Sequence, residues 1–125
     1  MSNIHSEIYD EKCKRLFEED TIRFAGILDE KGEIISGGFK PGLTPLEGDA
    51  VKLKSFMEFV SKTSIRKEFD QSLGPINYLA ARRDKAVLIS FPFPVSRITL
   101  LISAEPSANI EILAAHVVEI FSGIE

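Results

Sequence analysis

A chain of 125 residues with a 44% hydrophobic fraction and nine Phe can bury one sizeable core beneath an ordinary surface of 27% charged residues, which excludes intrinsic disorder. Its formal net charge of −4 argues against a protein that tracks nucleic-acid phosphates, because such binding rests on clustered Lys and Arg that release counterions. The single cysteine, Cys13, permits neither an internal disulfide nor a cysteine metal cluster, which predicts a reducing, cytoplasmic setting.

The opening MSNIHSEIYDEKCKR has no apolar signal core, and the runs AVLISF and ITLLIS are too short to span a bilayer, so no membrane insertion is expected. Tyr9, Cys13, Leu16 and Phe17 fall at i, i+4, i+7 and i+8 and predict an amphipathic helix over residues 5–19. Cys13 lies on its apolar stripe, where a free thiol behaves as a small buried hydrophobe. Residues 22–29 and 33–39 read as an antiparallel strand pair turned through Glu30, Lys31 and Gly32, the glycine supplying a positive φ. A Gly- and Pro-rich loop over 40–48 then leads to a helix capped by Asp49.

That second helix carries two opposed stripes, Leu53, Phe56, Met57 and Val60 on one side and Ile65, Phe69 and Leu73 on the other. A straight helix cannot bury both against one sheet, so a break is predicted at Thr63 and Ser64. The second stripe either faces a partner or wraps onto the same core. Gly74-Pro75 ends the helix, and strands follow over 76–83, 86–93 and 97–103, the last two apolar enough to be central and covered on both faces. Pro106, with a cap at Ser107 or Asn109, starts a final helix that runs to the chain end. Its stripe is Ile110, Leu113, Ala114, Val117, Phe121 and Ile124, which leaves Ile112 exposed or against a partner.

The order α-β-β-α-β-β-β-α predicts one α+β domain over 1–125, with a five-stranded antiparallel sheet in the order 2-1-5-4-3 and helices on both faces. Strands 2 and 3 are then the edges. Strand 2 is the poorer joint, since Gly37 and Gly38 offer no side chains to pack. Strand 3 opens INYLAA, with few charges to discourage a second strand. Dimerisation is therefore expected through Ile76, Tyr78, Ala80, Arg82 and Arg83, with Ile65, Phe69 and Leu73 of the second helix covering the joint.

No phosphate-cradling, zinc-binding or nucleophile-elbow spacing occurs in the sequence, so no catalytic residue, metal site or cofactor is expected. The nearest candidate, Ser36 to Gly42, is a Gly-rich stretch that lacks the helix start of a phosphate site. Its plainer reading is an edge strand and turn. His116 lies off the buried stripe and reads as a surface histidine, and His5 lies at a helix end. Arg82, Arg83 and Lys85 form a basic patch, to which Arg97 is a candidate addition. It reads either as a solvated hairpin tip or as a contact for an acidic partner surface.

The hairpin FAGILDEKGEIISGG, with its apolar strand, Asp-x-x-Gly turn and small-residue second strand, resembles the opening of the Roadblock family. That family comprises dynein light-chain and bacterial polarity-regulator domains and is related to longin and profilin-like folds. The resemblance covers nearly the whole chain and implies nearest relatives among small archaeal proteins. It also implies a non-catalytic homodimeric scaffold that binds another protein, a small GTPase being one partner class. PAS sensory domains begin with a similar hairpin. The alternative is thus a PAS-like sensor holding a small ligand between the sheet and the second helix, beside Phe56, Met57, Phe59 and Phe69.

Overall fold

The computed structural model describes residues 4–42 and 70–125. Within them the chain forms α1 (Ile4–Leu16), β1 (Ile22–Leu28), β2 (Ile34–Phe39), α2 (described over Asp70–Leu73), β3 (Leu79–Arg82), β4 (Val87–Phe93), β5 (Ile98–Ala104) and α3 (Ile110–Ile120). The strands pair antiparallel in the order β2-β1-β5-β4-β3, as the sequence predicts. The predicted loop over 40–48 from residue 43 on, the helix cap at Asp49 and the break at Thr63 and Ser64 lie outside the described residues.

Strand alternation sorts the sheet into two faces. On one, Ala25, Ile27, Val87, Ile89, Phe91, Leu100 and Ile102 pack beneath Tyr9, Cys13 and Leu16 of α1 and Leu113, Val117 and Phe121 at α3. On the other, Phe24, Leu28 and Leu101 are buried with Phe39 and Leu88 against them. The central strands are thus withdrawn from water on both sides, which is what their unbroken apolar runs require.

The ends of the elements depart from the predicted ones for local reasons. α1 stops at Leu16 because Phe17, Glu18 and Glu19 donate to the carbonyls three residues back, at 3.1, 3.2 and 3.0 Å, and wind the chain out of the helix in a tighter turn. α3 does not run to the chain end. Phe121 caps it, donating to the Val117 carbonyl at 2.8 Å, and Gly123 takes φ 95°, a left-handed conformation that ends a helix. Ile124 still packs on the core, as its place on the stripe predicts. The third strand begins at Leu79 rather than Ile76. Gly74 turns the chain at φ 81°, Pro75 has no N–H to give, and residues 76–78 join no ladder.

At the start of α3 the cap is Asn109, whose Oδ1 accepts from the Ile112 N–H at 3.1 Å. Asn109→Ala leaves that donor without its side-chain acceptor and is expected to lower stability by about 1 kcal/mol. Urea unfolding checks this, with Asn109→Asp, which keeps the acceptor, remaining close to the parent protein.

Candidate functional site

The two edges of the sheet are built differently. At β3 the Arg83 N–H donates to the Ala86 carbonyl at 2.9 Å, which fixes the alternation of the ladder. Ala81 and Leu79 turn their backbone groups towards β4, and Ala80 and Arg82 turn theirs outwards. Ala80, Arg82 and Arg83 are exposed, Ile76 and Tyr78 are half-buried, and Leu73 stands 79% exposed at the end of α2. Ile65 and Phe69 lie outside the described residues, as do Phe56, Met57 and Phe59 of the predicted ligand pocket.

Two side chains strap this edge to α3 and to the loop before it. The Arg82 Nη1 donates to the Pro106 carbonyl at 2.6 Å and its Nη2 to the Ala108 carbonyl at 2.9 Å. The Tyr78 hydroxyl donates to the Glu111 carboxylate, and its ring lies 5.6 Å from that of Phe91. The bond to Glu111 raises the Tyr78 pKa above its usual value. Arg82 therefore holds the edge in place with its guanidinium, and the basic patch at the turn is presented by Arg83 and Lys85. Arg97 does not join it. β4 runs seven residues from the β3–β4 turn to the turn holding Arg97, which puts the two at opposite ends of the sheet, roughly 20 Å apart.

At the other edge, the Gly37 N–H and the Ser36 hydroxyl both donate to Asp10 Oδ1, the former at 3.2 Å. A carboxylate thus occupies the backbone donor that a phosphate at Ser36 to Gly42 would need, and its charge repels an anion. The plainer reading of that stretch, an edge strand and turn, is the observed one. Asp10 carries no signal in the sequence beyond lying on the polar side of the first helix.

Cys13 is 1% exposed, as its stripe position predicts, and burial followed by the charge of Asp10 pushes its thiol pKa up to about 12. His116 is at the surface, with Nδ1 3.3 Å from Glu19 Oε2. Between α1 and α3 a half-open cleft of about 330 Å³ is ringed by Arg15, Glu18, Glu19, His116 and Glu119. Ile112 is 55% exposed, again as expected, and Val118 is 71% exposed on the same helix. Among the described residues no three His, Cys, Asp or Glu side chains are grouped to hold a metal ion, and no helix is long and apolar enough to cross a membrane.

A family model described as "Family of unknown function (DUF6659)" matches residues 1–124. No curated protein matches the sequence. Among solved structures, the chain is similar to the Roadblock/LC7 domain from Streptomyces avermitilis, at 16% identity and a TM-score of 0.63, over 89% of each chain. It is similar to the gliding protein MglB from Thermus thermophilus, at 13% identity and a TM-score of 0.71, over 98% of this chain and 89% of that one. An MglB described with a tetrameric arrangement superposes with a TM-score of 0.72 at 12% identity, over 98% and 88%. The fold is that of a Roadblock-type domain.

Proposed function

The chain belongs to the DUF6659 family, of unknown function, and from that premise we propose that it is a non-catalytic, cytoplasmic, homodimeric platform that binds another protein. A small GTPase is the partner class that the Roadblock resemblance implies, and no cofactor takes part. The observation that carries the reading is the outer side of β3, where Ala80 and Arg82 direct backbone groups away from the sheet, with no further strand among the described residues to meet them. A second copy related by a two-fold axis satisfies those groups and makes an isologous joint, the commonest symmetry of homo-oligomers. The exposed Leu73 and half-buried Ile76, just before the strand, add the apolar burial that four residues of backbone pairing lack. Val118 and Ile112, exposed on α3, are left for the protein partner.

Ala80→Pro removes an outward donor without touching the bonds that Leu79 and Ala81 make to β4, so it addresses the joint rather than the fold. Sedimentation at micromolar concentration is expected to give two copies for the wild type, and a dissociation constant raised at least roughly tenfold, ~1.4 kcal/mol, for Ala80→Pro. A wild-type monomer, or a dimer indifferent to this substitution, discards the interface. The GTPase part is tested separately, by adding the protein to small GTPases of the same genome and following nucleotide hydrolysis and exchange. No change in any of them removes that partner class.

A further inference from the structure

We infer that Asp10 is a guard that closes the outer edge of β2 to strand addition by a second copy of this chain. A sheet with two open edges accepts neighbours at both ends and grows without limit, whereas one with a single open edge stops at a pair. The inference rests on the β3 pairing only for the length of the assembly, because the guard itself belongs to β2.

β2 needs such a device. The Lys40 N–H donates to the Arg23 carbonyl at 2.8 Å, so the alternation turns Ser36 and Gly38 towards β1 and Gly37 and Phe39 outwards. Beside them Ile34 is 53% and Ile35 40% exposed, an apolar border that favours a further strand. Charges that usually blunt such an edge are absent between Ile34 and Phe39.

Two features stand against pairing here, and they are coupled. Gly37 takes φ 84°, which bends the strand, and a Cβ there would lie 2.1 Å from the Ala25 carbonyl oxygen, so only glycine fits. Glycine adopts extended backbone as readily, however, so nothing intrinsic to residue 37 keeps the bend. The hydrogen bonds from the Gly37 N–H and the Ser36 hydroxyl to Asp10 Oδ1 hold it. Asp10 is in turn fixed over the edge because Tyr9 and Cys13, on either side of it in α1, are buried in the core. An approaching strand finds its donor occupied and meets a negative charge.

The test compares Asp10→Ala with Asp10→Asn in the full chain. Asn keeps an oxygen that accepts both bonds and is expected to sediment as the wild type does. Asp10→Ala is expected to form species larger than the wild-type assembly, growing with concentration, and its Gly37 amide is expected to exchange at least roughly tenfold faster. The wild type alone supplies a measurement independent of how any variant folds: its Gly37 amide should be protected at least roughly tenfold beyond that of Phe39, which also faces away from β1. Equal exchange at the two amides overturns the inference. So does an Asp10→Ala protein that sediments as the wild type, or an Asp10→Asn protein that grows as Asp10→Ala does. A wild-type monomer would end the β3 reading alone, since Asp10→Ala would then gain pairs through β2. The double variant Asp10→Ala, Ala80→Pro is expected to stop at such pairs in either case.

Discussion

Phe121→Ala is expected to lower the unfolding free energy by about 3–5 kcal/mol, the range for removing a buried aromatic ring whose site cannot collapse. Phe121 is 2% exposed and joins three elements. Its ring stacks on Phe93 of β4 at a centroid distance of 5.6 Å, it caps α3, and Lys12 of α1 lies with Nζ 5.9 Å from its centroid. The same ammonium donates to the Ile120 carbonyl at 2.8 Å, closing a helix end that would otherwise leave its carbonyls to water. Truncation therefore opens a void under both helices at once, and neither can move in without breaking its own packing. Urea unfolding at one fixed protein concentration measures the loss, because association also shifts apparent stability. Phe121→Leu, which keeps most of the volume, should cost far less. A loss under about 1.5 kcal/mol for Phe121→Ala, the level of a tolerated swap, would show that the α1–α3–β4 junction repacks.

The place of Phe121 in the core was legible in the sequence because α3 repeats its apolar residues at helical spacing, from Ile110 to Ile124. Burial of that stripe is a property of one helix facing one sheet, which periodicity reports directly. The strand order was legible for a related reason. Only a central strand can carry runs such as AVLISF and ITLLIS, and short hairpin links leave few ways to place the others. The helix end was also written in the chain, as Gly123, a residue suited to the left-handed turn that closes α3. The stripe alone predicts a helix to the terminus, and the left-handed turn at Gly123 ends it sooner.

Contacts between distant residues were not legible. Arg82 reads as part of a basic cluster with Arg83 and Lys85, and its binding to carbonyls 24 and 26 residues away depends on where the loop before α3 passes. Glu111 and Tyr78 are alike in this, being 33 residues apart and each unexceptional in its own segment. Asp10 is the clearest case. On a helical wheel it is one more charge on a solvated face, and its role arises only because α1 crosses β2 where Gly37 turns its N–H outwards. Arg97, by contrast, is set apart from the patch by the seven residues of β4, a distance already written in the sequence.

Alkaline pH is expected to destabilise the protein through Cys13, with an effect that approaches about 4 kcal/mol if the whole interval between the two pKa values is crossed. The thiol is 1% exposed, and burial, then the charge of Asp10, raise its pKa from 9.0 to about 12. A raised pKa in the folded state means that between these values the unfolded chain loses the proton while the folded chain keeps it. Stability from the neutral thiol is therefore fully present below pH 9.0 and is lost as pH rises towards 12. At about 1.5 pH units above the unfolded value the loss is roughly 2 kcal/mol, well within the reach of urea titrations. The comparison is with Cys13→Ala, which shares every other ionisable group. At neutral pH the variant should be the less stable, for lack of the buried sulfur. As pH rises the wild type should lose stability faster, and the gap should close and then invert. Parallel curves would show that the buried thiol ionises without penalty. Asp10→Asn tests the second cause: it keeps the hydrogen bonds at β2 but removes the charge, so the decline in stability should end at a lower pH than in the wild type. The same carboxylate that closes the sheet edge would then be seen from inside the core, through the thiol three residues along α1.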